Sequence, residues 1–316
     1  MTSPDHPATN RRPRRPRVAF ARITTGLSVS LGALLALHLL VPGAAGLIVD
    51  SGLPLLGLAL PVLLVCAAIT RSRAAIGTSA FAALVWGVMF VPGILPLSSG
   101  RSSTGEQLVV ASQNVQAGSG TAAESAESLA ATGADVIALQ EMDSESRDAA
   151  SVVLDALYPY SYGVGTVGVW SVYPIENAQM IDLGLGWKRG LAADLETSAG
   201  LVSLYVVHAA SARPDSYEDR NTMLSNLAEY FARDENDRVI AVGDFNAGSS
   251  DRALGAITAE LTEANQSGGG FGFTWPAEAP VIRIDHLFQR GMDVVSNGTM
   301  RTGSSDHLAV VTTLTL

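Results

Sequence analysis

An acid and an amide stand at the end of one strongly predicted strand, where their side chains are able to do chemistry. Residues 239–242 are apolar and include two β-branched valines, so they predict a short strand buried on both faces. Gly243 permits a tight turn, and Asp244 and Asn246 follow it on the loop. Such a pair can hold a water molecule, a metal-bound oxygen or a phosphate. The alternative is a polar turn that only closes a strand.

Other predicted strand ends carry polar residues of matching chemistry. They are Asn114, Glu141, His208, Asp285, Asp306 and His307. A hard divalent cation prefers carboxylate and amide oxygens, which makes Glu141 the natural anchor for Mg²⁺. A histidine held by a carboxylate stays protonated and binds a phosphate oxygen, and an aspartate orients or deprotonates a water molecule. Each residue alone has an ordinary structural explanation, but together they indicate hydrolysis of a phosphoester.

The elements that must position these residues are strands with helices between them. Strands are predicted at 108–114, 135–139, 167–171, 175–183, 191–197, 201–207, 239–243, 281–288, 294–301 and 308–316. Helices are predicted at 121–132, 144–157, 217–233 and 251–259. The first of these helices opens with Thr121 and Glu124, the spacing of a capping box. This order predicts an α/β or α+β sandwich with helices outside two sheets.

Taken in order, the motifs resemble the endonuclease/exonuclease/phosphatase superfamily, which includes deoxyribonuclease I. The matching residues are Asn114-Val115, Gln140-Glu141, Ser171-x-Tyr173-Pro174-Ile175, His208, Gly243-Asp244-Phe245-Asn246, Thr274-Trp275, Ile284-Asp285-His286 and Ser305-Asp306-His307. The resemblance covers nearly all of 106–316. It implies a four-layered α/β sandwich of the DNase I type, with a catalytic domain at 107–316.

The resemblance also implies a metal site. Mg²⁺, or Mn²⁺ in its place, is expected to be held chiefly by Glu141 with help from Asn114 and Asp306. Several members of the superfamily carry an acid two residues after the first asparagine, where this chain has Gln116. This departure leaves a second metal position open.

The remaining site residues take their expected roles from the same resemblance. Asp244 is expected to activate or orient the attacking water, and His307 to pair with Asp285 in the catalytic site. Contacts to the phosphate or the substrate are expected from three residues: Asn246, His208 and Trp275. One departure lies here as well, since Ala209-Ala210 follows His208 where the superfamily often has leucine.

Charge divides the chain into two parts of different character. The sequence holds 20 Lys and Arg residues and 30 Asp and Glu residues. Residues 1–100 contain eight arginines, no lysine and only Asp5 and Asp50 as acids, which leaves 12 basic and 28 acidic residues for 101–316. Cys66 is the sole cysteine, so no intrachain disulfide forms and cysteine usage does not report the redox compartment.

The basic part predicts a multi-pass membrane anchor at 23–97. Residues 1–22 are polar, rich in proline and arginine, and predicted to be disordered. Three uncharged runs at 23–41, 53–69 and 74–97 are each about long enough to cross a bilayer, and 98–106 is a linker. The positive-inside rule keeps the tail and the loop at 71–73 in the cytoplasm, so the acidic domain faces outward. A cleaved signal peptide in place of the first span leaves that placement unchanged.

Charge and topology narrow the substrate class. A nuclease that grips duplex DNA needs a basic face, so the acidic domain disfavours nucleic acid as a partner. The arrangement resembles the VanJ-type teicoplanin-resistance membrane proteins. That resemblance implies the lipid bilayer as a partner and a phosphorylated polyprenyl lipid of the cell envelope as substrate. Two alternatives stay open: an extracytoplasmic nuclease or general phosphodiesterase, and a catalytically inactive binding or sensing protein.

Overall fold

The computed structural model describes residues 15–96 and 105–316, and the chain divides into two compact units. The first unit consists of the described residues up to Leu40 together with Leu55–Phe90. The second unit consists of Val41–Pro54 and Val91–Leu316. The second unit is therefore assembled from two stretches that are separated in sequence by part of the first.

Helices account for most of the described residues before 97. They are α1 Arg15–Leu37, α2 Gly43–Leu56, α3 Ala59–Thr70 and α4 Arg73–Ile94, with a 3-10 turn at His38–Leu40. Within the first unit, the buried hydroxyls of Ser28 on α1 and Ser79 on α4 lie 2.8 Å apart. Small hydroxyl side chains of this kind let apolar helices approach closely and join them by a hydrogen bond.

Among the described residues, two helical segments are long and apolar enough to cross a membrane, Pro16–Leu40 and Arg73–Ile94. Two of the three predicted transmembrane helices thus correspond to candidate spans, and the middle one is not a single helix. The run at 53–69 is divided between α2 and α3, which count as a further span only if the bent pair is taken as one. Pro54 weakens the last turns of α2. Gly57 follows, at a point where a Cβ would come within 2.5 Å of the Trp86 ring.

The amino-terminal tail also differs from its prediction as a disordered segment at 1–22. Helix α1 begins at Arg15, inside that segment, and Arg17 donates a hydrogen bond to the carbonyl oxygen of Ile69 at 2.9 Å. Residues 1–14 lie outside the described residues. So do residues 97–104, which hold most of the predicted linker.

The second unit contains twelve strands among its described residues. They are β1 Gln107–Asn114, β2 Val136–Gln140, β3 Tyr160–Val164, β4 Val167–Ser171, β5 Ile175–Met180, β6 Gly190–Thr197, β7 Gly200–His208, β8 Val239–Asp244, β9 Thr262–Glu263, β10 Asp285–Arg290, β11 Asp293–Met300 and β12 Ala309–Thr315. The helices that follow β1 are α5 Ala122–Ala130, α6 Ser144–Leu154, α7 Tyr217–Arg233 and α8 Gly255–Glu260, with a 3-10 turn at Arg252–Leu254 before α8. One six-stranded sheet has the order β11-β12-β1-β2-β4-β3, and the other has the order β5-β6-β7-β8-β10-β9.

The two sheets pack face to face, with helices on their outer faces. Leu108 and Val110 of β1 belong to a core that also holds Val206 and Val242 of the other sheet. Ala111 faces the opposite way, into a second core with residues of α5 and α6. A third core joins α7 and α8 to the second sheet. The layers therefore run helix, sheet, sheet, helix, because alternate side chains of each central strand serve two cores.

Strand pairing brings the polar strand ends together. β1 and β2 are parallel, so Asn114 stands beside the end of β2. β7 and β8 are also parallel, with His208 opposite Asp244. β10 runs antiparallel to β8 and starts with Asp285 opposite the same Asp244. Because parallel strands end at the same edge of a sheet, residues far apart in sequence meet at one edge of the sandwich.

Candidate functional site

Asp244 lies at the centre of the candidate site. Its side chain is buried, and it accepts hydrogen bonds from the side-chain amides of Asn114 at 3.0 Å and Asn246 at 3.1 Å. The backbone N–H of Asn246 donates a further hydrogen bond at 2.8 Å. Burial and the neighbouring Asp285 raise the pKa of Asp244 above its usual value. A carboxylate with a raised pKa is suited to accept a proton from water.

Gly243 is required for this placement of Asp244. Its φ is +136°, and a Cβ at this position would lie 2.1 Å from the carbonyl oxygen of Val207. That oxygen belongs to the backbone of β7 and cannot move aside. Only glycine therefore lets β8 end as close to β7 as the site needs.

His307 and Asp285 form a buried ion pair next to Asp244. The Nδ1 atom of His307 lies 2.9 Å and 3.1 Å from the two carboxylate oxygens of Asp285. Burial disfavours a charge on His307, but Asp285, Asp244 and Asp306 outweigh it and raise the pKa of His307 to about 10. His307 is therefore protonated at neutral pH and brings a positive charge to the site.

The pKa of Glu141 is shifted in the opposite direction to that of Asp244. Its Oε1 atom lies 3.5 Å from Nε2 of His208, and its Oε2 atom accepts a hydrogen bond from the backbone N–H of Ala117 at 3.3 Å. The hydrogen bond with His208 lowers the pKa of Glu141 to about 2, although burial opposes the shift. The residue also adopts a left-handed φ of +57°, which is uncommon for a side chain other than glycine, asparagine or aspartate.

The donor set fits a divalent cation. Glu141, His208 and Asp244 each offer a ligand atom within 4.8 Å of the others, and Asp244, Asp285 and His307 form a second such group. In the second group His307 is protonated and bound to Asp285, so its nitrogen is not free to bind a metal. The group around the ionised Glu141 is therefore the better metal site of the two.

Six of the predicted site residues line one cleft of about 610 Å³. They are Glu141, Asp244, Asn246, Trp275, Asp306 and His307. The other three, Asn114, His208 and Asp285, stand behind the lining and hold its residues through the contacts given above. Arg213, which the sequence analysis did not single out, adds a second positive charge to the lining. The cleft thus combines acidic groups with two cations, a composition suited to a phosphate and its metal.

Two of the predicted metal ligands are engaged in other contacts. The Oδ1 atom of Asn114 accepts the backbone N–H of Gln116 at 2.9 Å. Asp306 lines the cleft but accepts the indole N–H of Trp275 at 3.1 Å. Gln116 also accepts the backbone N–H of Asp306 at 3.1 Å, so it ties the two predicted ligands together. Asp306 belongs to neither group of close carboxylate and imidazole ligand atoms, and the metal roles of Asn114 and Asp306 stay predictions.

Arg220 on α7 is a positioning residue that the sequence analysis missed. It is 1% exposed, binds the carboxylate of Asp251 at 2.5 Å and donates to the carbonyl oxygen of Asn246 at 3.0 Å. A signal for it exists, because Arg220 lies three and four residues before Met223 and Leu224, on the buried face of α7. A charged residue on that face needs a buried partner.

The sequence profile of the Endonuclease/Exonuclease/phosphatase family matches residues 111–307. Among solved structures, D. rerio TDP2 complexed with a single-strand DNA product is 19% identical, with a TM-score of 0.57 over 67% of this chain and 100% of that chain. An endonuclease/exonuclease/phosphatase family protein from Leptotrichia buccalis is 16% identical, with a TM-score of 0.53 over 66% and 100%. A mutant Staphylococcus aureus beta toxin with bound magnesium ions is 13% identical, with a TM-score of 0.51 over 66% and 99%. At sequence identities of 13–19%, the similarity to these structures shows a shared fold only. No curated protein sequence matches the chain significantly.

Proposed function

Because this chain belongs to the endonuclease/exonuclease/phosphatase family, we propose that it is a membrane-anchored, metal-dependent hydrolase of phosphoesters. The observation that carries the proposal is the composition of the cleft. The same cleft of about 610 Å³ is lined by an ionised Glu141, a buried Asp244 with a raised pKa and a protonated His307. Separate groups are thereby ready for metal binding, proton acceptance and charge stabilisation.

In this proposal water attacks phosphorus, a new P–O bond forms as the P–O bond to the ester or pyrophosphate oxygen breaks, and the leaving oxygen takes up a proton from solvent. Asp244 orients the water and accepts its proton, while Asn114 and Asn246 keep its carboxylate in position. His307 donates a hydrogen bond to a phosphoryl oxygen as negative charge develops there, and Asp285 keeps His307 protonated. Trp275 and Asn246, which line the cleft, contact the substrate. His208 acts through Glu141, which it holds ionised.

Glu141 is the proposed anchor of the divalent cation. Mg²⁺ is the proposed ion, with Mn²⁺ as a substitute, and Asn114 and Asp306 are the further predicted ligands. When bound, the cation neutralises charge on the phosphate and lowers the pKa of a bound water molecule. The bound magnesium ions of the Staphylococcus aureus beta toxin, which shares the fold, support this choice of ion.

We further propose that the site faces away from the cytoplasm. The support is the distribution of charge around the two apolar segments Pro16–Leu40 and Arg73–Ile94. Arginines precede the first segment and flank the start of the second, whereas the residues beyond the second are strongly acidic. Because both arginine-flanked ends lie inside, α3 carries the chain back between the two segments, which gives three passes and leaves α2 and the catalytic unit on the outer side.

The proposed substrate is a lipid-linked phosphate or pyrophosphate of the cell envelope, with VanJ-like glycopeptide resistance as the proposed outcome. The support is the membrane anchor together with the excess of acidic residues, which weakens binding to nucleic acid. The single-strand DNA product of D. rerio TDP2 belongs to that protein, and it makes a nuclease the activity to test alongside.

Two substrates tested side by side separate these activities. Full-length protein in detergent with Mg²⁺ is incubated with undecaprenyl pyrophosphate and, separately, with supercoiled plasmid DNA. We expect phosphate release from the lipid, no nicking of the plasmid, and loss of the release in Asp244→Ala. Nicking alone would identify a surface nuclease. Binding of Mg²⁺ and lipid without any turnover would identify an inactive binding protein.

A further inference from the structure

A short stretch from the apolar part of the chain forms one side of the cleft. Residues 41–54 belong to the same compact unit as the site residues, and α2 contributes Leu47, Ile48 and Ser51 to the cleft lining. Leu47 is 8% exposed, so it is packed in place, whereas Ile48 is 63% exposed and open to contact. Ile282 and Ile284 also line the cleft. The cavity therefore joins an apolar region to the acidic and cationic groups of the site.

An ion pair between a buried carboxylate and an exposed arginine fixes this stretch to the rest of its unit. Asp50 is 1% exposed, and its two carboxylate oxygens accept hydrogen bonds from Nε of Arg252 at 2.7 Å and from Nη2 at 3.1 Å. The backbone N–H of Arg252 lies 3.3 Å from the same carboxylate, and Nη1 donates to the carbonyl oxygen of Val41 at 2.8 Å. A bidentate pair of this kind fixes orientation as well as distance.

The ion pair is also connected to the catalytic loop. Asp251 precedes Arg252 and binds Arg220, which in turn donates to the carbonyl oxygen of Asn246. The turn that binds Asp50 through Arg252 therefore also supports, through Asp251 and Arg220, the loop that carries Asn246 directly after β8. A shift of α2 and a shift of this loop are coupled through a few direct contacts.

We propose that residues 41–54 are a specificity wall of the cleft, in which Leu47 and Ile48 contact an apolar chain attached to the phosphate. Asp50 and Arg252 are the residues that position the wall. This inference rests on the proposed hydrolase function and adds the residues that select a phosphoester by the apolar chain it carries. Such a substrate meets Leu47 and Ile48 with its chain while its phosphate lies among Glu141, Asp244 and His307.

Two diesters that differ only in their alkyl group test the wall. Methyl p-nitrophenyl phosphate and hexyl p-nitrophenyl phosphate release the same chromophore by the same reaction. Each buried methylene contributes about fourfold in affinity. We expect wild-type protein in detergent with Mg²⁺ to prefer the hexyl ester at least about tenfold in kcat/KM, through a lower KM. In Ile48→Ser this preference falls about tenfold, and in Ile48→Val most of it remains.

The controls separate a wall from a general loss of structure. Val152→Ser changes a valine that is 81% exposed and does not line the cleft, and it keeps the wild-type preference. Asp50→Asn and Arg252→Gln each reduce the preference for the hexyl ester. The charge-swapped pair Asp50→Arg with Arg252→Asp restores part of it. Equal preference in Ile48→Ser and wild type would overturn the proposal.

A binding measurement keeps this inference distinct from the proposed function. Methyl phosphate and hexyl phosphate are titrated into the same full-length variants by calorimetry with Mg²⁺ present. If no ester is hydrolysed but hexyl phosphate binds more tightly than methyl phosphate only when Ile48 is present, the hydrolase proposal fails and the wall stands. If both esters are hydrolysed at equal kcat/KM, the hydrolase stands and the wall is refuted.

Discussion

Two carboxylates at the same cleft have opposite electrostatic environments. The pKa of Glu141 is lowered to about 2 by its hydrogen bond with His208, whereas burial and Asp285 raise the pKa of Asp244. A permanently charged carboxylate suits a metal ligand, and one with a raised pKa suits a proton acceptor. The difference in environment thus separates two roles that residue type alone leaves identical.

The role of Asp244 leads to a first prediction. Asp244→Ala should reduce hydrolysis at least about 100-fold, because it removes the proton acceptor. The fold should survive, since the raised pKa shows that the folded protein disfavours the charged form of this residue. Release of p-nitrophenol and the thermal midpoint Tm are measured on the same sample. Normal turnover in this variant would exclude Asp244 from the reaction.

A second prediction concerns metal binding. Glu141→Gln keeps the shape of the side chain and removes its charge, so the Mg²⁺ concentration for half-maximal activity should rise at least about tenfold. Direct titration with Mn²⁺ by electron paramagnetic resonance measures the affinity without turnover. Glu145→Gln, on α6, is a control that alters a nearby acid outside the cleft. An unchanged metal requirement would mean that another residue anchors the cation.

For individual residues, the sequence identifies the functional side chains of the site but not the hydrogen bonds that connect them. The adjacent residues Gly243 and Asp244 are recognisable because a glycine and an acid close an apolar run, but both lie within β8 and not on the turn and loop that the sequence predicts. Gln116 has no such signature, and its contacts with Asn114 and Asp306 exist only once distant loops meet. Arg213 is equally invisible in the sequence, because only the folded loop brings it to the cleft.

Helices and strands are predicted best where one face of the element, or the whole element, is buried. The helix at 217–233 and the strand at 167–171 agree with α7 and β4 residue for residue. β3 was missed because it is an edge strand whose residues are largely exposed. The strand predicted at 281–288 begins only at Asp285, since Ile282 instead forms an isolated bridge with Trp275.

Helix capping shows how tertiary contacts override a local pattern. The capping box expected from Thr121 and Glu124 does not form, because the Thr121 hydroxyl makes no cap hydrogen bond to α5. It accepts the backbone N–H of Ser304 at 3.0 Å instead. That contact holds the loop that continues to Asp306 and His307, so a residue predicted to start a helix also supports the site.

A third prediction concerns β9 and β10, the two strands that follow β8 at the edge of the second sheet. Glu263 on β9 binds His286 at 2.7 Å and Arg283 at 2.9 Å, both of which are buried. Burial opposes its charge, but Arg283 and His286 lower the pKa of Glu263 to about 2. Glu263→Gln should cost about 3 kcal/mol of stability at neutral pH, because it leaves Arg283 without its carboxylate.

The pH dependence of stability checks this assignment. The folded-state pKa of Glu263 is lower than its ordinary value of 4.5, so its stabilisation is complete above pH 4.5 and is lost as pH falls towards 2. Tm measured across this range should fall more steeply for wild type than for Glu263→Gln. Parallel curves for the two proteins would assign the acid sensitivity to other carboxylates.

For the whole molecule, charge is the property that the sequence reports most directly. The contrast between residues 1–100 and 101–316 follows from counting, and it needs no structure. The number of membrane spans does not follow from counting apolar residues, because the hydropathy of 53–69 does not reveal the break between α2 and α3. Nor does hydropathy reveal that Asp50 is paired with Arg252, 202 residues further along the chain.

A fourth prediction tests the orientation of the chain in its membrane. In a Cys66→Ala background, Val152→Cys places a thiol on the exposed face of α6 and Ser72→Cys places one between α3 and α4. A membrane-impermeant maleimide should label Val152→Cys in intact cells and Ser72→Cys only after lysis. The reverse pattern would place the catalytic unit in the cytoplasm and would remove extracytoplasmic lipids as substrates.

The division of the second unit into two stretches affects which fragment of the protein is worth producing. A truncated form that starts at Gly105 includes every strand of both sheets, and it is the obvious choice for soluble expression. It nevertheless lacks residues 41–54, and with them the carboxylate that binds Arg252 and one side of the cleft. Covalently joining 41–54 to the fragment through a short Gly-Ser linker supplies the missing side. An inhibitor screen on the unsupplemented fragment would be aimed at a cavity that the intact protein does not have.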